Sequence, residues 1–226
     1  MKPTLTLVPV KTRILTDDDN IVEAVELYGG HLVGPDDIVC VAESVVAITQ
    51  GEFTRPELLR PSWQARLMNR FVPAEGSMAS VYGMQSAMEK EGEWKMLFWF
   101  IVGFVAKLFG RRGVWYAHCR QASFVDDVTG TMPPFDKCIV YGPRDADRVC
   151  DEMVKRLGCY GAVVADVNDL KRSAVLGKSH GIDAAEVAQI LIDNPFGNAG
   201  EMTPIVIIKD YAAVARAAHG GHSART

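Results

Sequence analysis

Apolar residues recur along the chain in two rhythms, period two and period near 3.6. Leu5 to Val10 alternates and is rich in β-formers, which predicts a first strand. The run Thr16-Asp17-Asp18-Asp19 then caps a helix over about 20–28, where its carboxylates suit a helix N-terminus. Ile21, Val22, Val25 and Tyr28 mark the inward face of that helix, and Gly29-Gly30 ends it. Gly34-Pro35-Asp36-Asp37 turns into the continuous apolar run Ile38 to Ala42, as expected of a strand covered on both faces. Val45 to Thr49 predicts a second short strand, broken at Gly51.

Residues 52–93 read as mostly helical. Pro56 suits a first helical turn, and Trp63, Leu67, Met68 and Phe71 recur at helical spacing. Gly76 to Gly83 is a small-residue break, 94–108 an apolar run, and Val114 to Ala117 a predicted strand. Residues 124–145 are loop-rich. Arg144 to Leu157 is an amphipathic helix with Ala146, Val149, Cys150, Met153 and Leu157 on one stripe. Gly161 to Ala165 predicts a buried strand stopping at Asp166, and Ser173 to Gly177 another. Asp183 caps a helix to about Leu191, Pro204 to Ile208 is a strand, and a last helix covers 211–218. The class is mixed α and β. It reads as one domain over 1–219, open to division into two lobes, with an inserted aromatic segment near 93–112 and a disordered tail over 220–226.

Composition narrows the function. A net charge of −4 with no basic block argues against nucleic acid as a partner. The five cysteines are odd in number and never in CxxC spacing, which fits buried thiols in a reducing cytoplasm better than disulfides or a zinc site. The N-terminus lacks a signal-peptide pattern, so the expected location is cytoplasmic. The apolar run from Met96 to Ala106 is about half of the roughly 20 residues a membrane span needs. The apolar content of 94–109 predicts a homodimer interface. Trp94 to Arg112, aromatic with flanking cations, also suits contact with a membrane surface, as an addition to any other function.

Candidate chemistry concentrates late in the chain. Asp166, Asn168 and Asp169 put three oxygen-bearing side chains at the end of a buried strand, a pattern that suits magnesium or manganese. The plain alternative is a polar turn capping the strand. Gly177-Lys178-Ser179-His180-Gly181 offers backbone N–H groups and a cation for phosphate, though not at Walker spacing. Asp126-Asp127 is a further pair of carboxylates, either metal ligands or solvated loop. No nucleophilic triad and no GxGxxG, GxSxG or HExxH pattern occurs, so no catalytic residue is assigned.

In order, these segments resemble the coenzyme F-420 gamma-glutamyl ligases. Val8-Pro9-Val10, Arg13 to Thr16, Asp19-Asn20 and Asp37 to Val46 are similar to the family's proline-containing strand, acidic turn and "Gly-Asp-Ile-Val-Val-Val" strand. Met132 to Asp136 resembles its "Leu-Pro-Pro-Leu-Asp" loop. Gly161 to Asn168 resembles "Gly-Val-Ile-Ile-Thr-Asp-Thr-Asn", and Gly177 to Ile182 resembles "Gly-x-Ser-x-Gly-Ile". The resemblance covers the first fifty residues and much of 113–209.

It implies an F-420 gamma-glutamyl ligase-like fold, usually an intertwined homodimer. The implied activity is amide-bond formation between a small-molecule carboxylate and an amino acid, glutamate in the family. GTP (or ATP) and Mg2+ or Mn2+ activate the carboxylate as an acyl phosphate. Carried over by position, Asp166 matches the family's metal-binding aspartate, Asn168 its asparagine, and Asp126 or Asp127 an acid in an "Ala-Gly-Ile-Asp" loop. Lys178 and Ser179 fall in the expected nucleotide-binding set. The family's "Ser-Lys-x-Glu-Gly" reads Ala47-Ile48-Thr49-Gln50-Gly51 here, so a lysine expected near phosphate is isoleucine. Lys11 and Arg13 are the nearby cations left to replace it. The alternative reading is a non-catalytic member that keeps the fold and a ligand pocket.

Overall fold

A computed structural model describes residues 5–72, 80–119 and 133–220; Asp126, Asp127, Met132 and the tail 221–226 lie outside them. In chain order the elements are β1 (Thr6–Val10), α1 (Ile21–Gly29), β2 (Ile38–Ala42), α2 (Glu43–Thr49), β3 (Phe53–Thr54), α3 (Trp63–Asn69), α4 (Val81–Glu91) and α5 (Glu93–Leu108). There follow α6 (Val114–His118), β4 (Ile139–Val140), α7 (Ala146–Leu157), β5 (Gly161–Asn168), β6 (Arg172–Lys178), α8 (Ala184–Ile190), β7 (Ile205–Lys209) and α9 (Tyr211–Gly220). The protein is mixed α/β, and it divides into two units, 1–51 with 143–226, and 52–142.

The first unit is a five-stranded sheet in the order β1-β7-β2-β5-β6. β2 and β5 run parallel, and the other pairs are antiparallel. Side chains alternate across each strand. Val39, Val41, Ala162, Val164, Ile205 and Ile207 face α1 and α7, where they meet Val22, Val25, Cys150 and Met153. Ile38, Cys40, Val163, Ala165, Val206 and Ile208 face the other way, toward Val187 of α8 and Tyr211 of α9. Helices on both faces explain why these central strands are apolar without interruption.

Asp37, at the entry to β2, fastens three segments. Its buried carboxylate accepts the N–H of Gly34 at 2.6 Å and of Asp210 at 2.8 Å, and pairs with the Lys209 ammonium. Its carbonyl accepts from Tyr160 N at 3.0 Å, just ahead of β5.

The second unit has a methionine-rich core. Met68, Met84, Met88 and Met96 pack with Trp115, Ile139 and Tyr141. Glu52 joins Lys90 at 2.6 Å, and the Lys90 ammonium lies 4.6 Å from the centre of the Tyr141 ring. Burial pushes the Tyr141 phenol up to about 12.

Several expectations are corrected. Val45 to Thr49 is helical, as α2: the chain leaves the sheet at Ala42 and the turn buries Val46, Ala47 and Ile48, so packing overrides β-branched propensity. Val114 to Ala117 is α6, not a strand. Gly113 opens it at φ 80°, and Gly103 of α5 admits it closely: a Cβ there would stand 3.0 Å from that of Trp115. β5 does not stop at Asp166 but continues to Asn168, because Asp166 still pairs with Ala174 and Asn168 with Arg172. The α1 cap is Asn20, whose side chain accepts the N–H of Val22 and Glu23. Trp63 and Phe71 are exposed and do not line the core with Met68. Among the described residues, no helix is long and apolar enough to cross a membrane.

Candidate functional site at the end of the sheet

β1, β2 and β5 all finish at one end of the sheet. Ala42 pairs with Ala165, so β5 outruns β2 and carries Asp166 past the point where the chain turns into Glu43 and α2. Alternation from Ala162 and Val164 puts Asp166 on the face of α1 and α7. Asp166 is exposed, yet the protein around its carboxyl desolvates it enough to raise its pKa above the usual carboxylate range. It has no hydrogen bond or ion pair among the described residues. The remaining strand-end polar groups are already engaged. The Asn168 Oδ1 accepts from Leu170 N at 3.0 Å and Arg172 N at 3.3 Å, closing the β5–β6 hairpin. Asp169 accepts from the Asn194 amide at 2.6 Å.

On the same face, a cleft of about 340 Å³ opens between the start of α1, the end of α2 and the start of α7. Asp19, Asn20, Thr49, Gln50, Arg144 and Arg148 line it. Gln50 braces it: its amide oxygen accepts Arg144 N at 2.6 Å while its amide nitrogen donates to Arg144 O at 3.0 Å. The Arg144 guanidinium donates in turn to Gln50 O at 2.7 Å. Asp145 precedes α7 at φ 46° without capping it, so the first-turn N–H groups of that helix receive no side-chain cap. Arg144 and Arg148 are the cations of the cleft, beside an uncapped helix start that favours an anion, and Asp19, Asp145 and Glu152 are its carboxylates. Sequence reasoning missed the Gln50–Arg144 brace, which joins residues 94 apart. Its trace in the sequence is the glutamine itself, since glutamate cannot serve both the N–H and the carbonyl.

The other sequence candidates disperse. Lys11 and Arg13 follow β1 at the same sheet end as Asp166, but β7 and β2 lie between β1 and β5, roughly 14 Å at about 4.8 Å per strand. Arg13 nevertheless meets the cleft, because it is bound to Asp19 of the lining by two hydrogen bonds, one of 2.8 Å, which lower the Asp19 pKa. Lys178 pairs with Val163 and Ser179 lies beyond it, toward the start of β5 and away from Asp166. The Lys178 ammonium donates to Ile182 O at 2.6 Å, and the buried Ser179 hydroxyl accepts Ala162 N at 3.0 Å. Those two residues fasten β6 to β5 and are not brought to the site.

Neither a protein-family model nor a curated protein matches the chain.

Other chemistry is constrained by burial. All five cysteines are buried, and desolvation raises every thiol, Cys150 to about 12, so none is poised as a thiolate nucleophile. Among the described residues, no three His, Cys, Asp or Glu side chains gather as a metal cluster. A single carboxylate is nevertheless a sufficient protein anchor for Mg2+, which commonly keeps several waters and takes its other ligands from substrate phosphates. Asp166 fits that role by chemistry: an unpaired, partly desolvated carboxylate is what a cation would relieve.

Proposed function

We propose that the chain is a nucleotide- and metal-dependent carboxylate–amine ligase of the F-420 gamma-glutamyl ligase type and fold, working through an acyl phosphate. The observation that carries the reading is Asp166, a carboxylate without a cation partner among the described residues, at the end of a central strand and on the sheet face that also carries the cleft lined by Arg144 and Arg148. In this reading Asp166 holds Mg2+ or Mn2+, which when bound supplies positive charge to the nucleotide phosphates. Arg144 and Arg148 take the anionic groups, a task the family gives partly to the lysine replaced by Ile48. The Gln50 brace holds Arg144 in place, so the cations meet the anion without reorganising.

Calorimetry of wild type and Asp166→Asn with GTP and with ATP, each with and without Mg2+ or Mn2+, tests this. Metal-dependent binding by the wild type that weakens at least tenfold in Asp166→Asn is expected. Equal binding with the same metal dependence removes Asp166 from the site. A second reading has its own support: Ile48 is buried, so the position that carries the family's lysine is part of the interior here. Failure of the wild type to bind either nucleotide favours that reading, a non-catalytic protein that keeps the fold.

A further inference from the structure

α5 presents a stripe that the core of its own unit does not use. Trp94, Phe98, Ile101, Val105 and Leu108 follow one another at spacings of four, three, four and three, the a and d positions of a heptad pattern. All five are exposed. Met96, Phe100 and Gly103, on the other side of the helix, meet the methionine core and Trp115. We infer that the exposed face of α5 is the docking surface for a second copy of this chain, α5 packed antiparallel on α5 about a two-fold axis near Ile101. The inference concerns a different surface from the Asp166 site and stands apart from the ligase reading.

Area supports a second copy. Trp94, Phe98, Phe104 and Phe109 are 71%, 58%, 51% and 82% exposed. At about 150–250 Å² per aromatic side chain, these four alone offer on the order of 500 Å². Ile101, Val105 and Leu108 bring the face close to the ~800 Å² per partner of a standard interface. Phe71 extends the patch, its ring 6.3 Å from that of Phe104. So large a contiguous apolar face exceeds the ~300–600 Å² of the largest patch on a typical monomer.

Charge and shape decide the direction. Lys107, Arg111 and Arg112 stand at the C-terminal end of the helix with no acidic partner among the described residues, while at the other end Glu91 pairs with Lys95 and Glu93 accepts from the Gln85 amide. Parallel packing would gather both sets of cations. Antiparallel packing separates the two sets of cations and opposes the helix dipoles. With Ile101 on the axis, Phe98 faces Val105 and Trp94 faces Leu108, so large side chains meet smaller ones. The same patch then serves both copies, as a two-fold interface requires.

The test is sedimentation velocity of the full chain at micromolar concentration without detergent, joined to cysteine cross-linking. The wild type should sediment as a dimer, and Ile101→Glu as a folded monomer by circular dichroism. Because the native cysteines are buried, an introduced surface cysteine is the reactive one. Ile101→Cys should form a disulfide-linked dimer under mild oxidation. Trp94→Cys alone should not, whereas Trp94→Cys combined with Leu108→Cys should. A monomeric wild type, a dimer that survives Ile101→Glu, or self-cross-linking of Trp94→Cys as fast as Ile101→Cys would each overturn the inference. So would a monomer that sediments with phosphatidylglycerol vesicles through this helix, which would make lipid the occupant.

Discussion

Replacing Asp37 with asparagine probes the joint that ties β2, β5 and β7 together. Burial alone would raise the pKa of this carboxyl. The hydrogen bond from Lys209, those from the Asp210 and Gly34 N–H groups, and the Lys209 charge outweigh it, so the net shift is downward. Asparagine keeps the shape but offers one acceptor oxygen to three donors and turns its own NH2 toward at least one of them. Removing one member of a buried pair costs about 3–5 kcal/mol. Lys209 is 29% exposed and also donates to Leu32 O at 2.6 Å, so it recovers part of its solvation. The expected loss for Asp37→Asn therefore lies at the lower end, about 3 kcal/mol at pH 7.

The same joint predicts a pH dependence with a fixed sign. The folded pKa lies below the unfolded value of about 3.9, so the contribution is present above that value and is lost as pH falls through the folded pKa. Urea unfolding followed by far-ultraviolet circular dichroism, at pH 7 and in steps to pH 3, reads both effects. Tryptophan fluorescence does not substitute, because Trp63, Trp94, Trp99 and Trp115 all lie in the second unit. The gap between wild type and variant should be widest near neutrality and narrow below about pH 4. A variant within about 0.5 kcal/mol of wild type at pH 7, or a gap unchanged down to pH 3, would refute the argument.

Gly177→Ala should lower stability by about 1–3 kcal/mol in the same urea assay, because a Cβ there would lie 2.5 Å from the Ala146 backbone carbonyl carbon, which cannot swing aside. Gly161→Ala is the milder comparison, since its Cβ meets the movable end of the Ile182 side chain. Asp166→Asn should leave the metal-free melting temperature equal or slightly higher at pH 7. With a folded pKa above the unfolded one, the protonated form is favoured by the fold, and ionisation subtracts stability as pH rises through the folded value. The gain is small, because solvent screens so open a group. A clear fall in melting temperature would show that the carboxylate is structural.

What the sequence disclosed follows from which physics is local. β2, β5 and β7 were legible because strands covered on both faces need uninterrupted apolar residues, and α7 because one of its faces is polar. α2 and α6 were misread because Val45, Val46 and Trp115 favour strands locally, while the packing that makes them helical lies elsewhere in the chain. Asp166 could be placed on a strand, but its separation from Lys178 depends on the β5–β6 register, which no local motif encodes. The cleft is less legible still, because Asn20, Gln50 and Arg144 come from three distant segments.

Position 48 brings the fold to bear on the two functional readings. The ligase motif places a lysine there to meet phosphate; here Ile48 is 4% exposed, on a helix whose neighbours Val46 and Ala47 are also buried. Ile48→Lys would carry an ammonium into that interior. The side chain must then lose its charge, force the helix outward or leave the variant unstable by several kcal/mol. Burial lowers a lysine pKa, so the unfolded chain would bind more protons than the folded one below the unfolded value of about 10.4. The variant's stability relative to wild type should therefore rise between pH 7 and pH 10. Urea unfolding across that range measures it. A variant as stable as wild type at pH 7, and binding nucleotide more tightly, would show that position 48 reaches the cleft and that the chain has lost a phosphate-binding cation. Instability at pH 7 that eases toward pH 10 would make Ile48 a core residue, and would leave Arg144 and Arg148 as the cations for an anionic ligand.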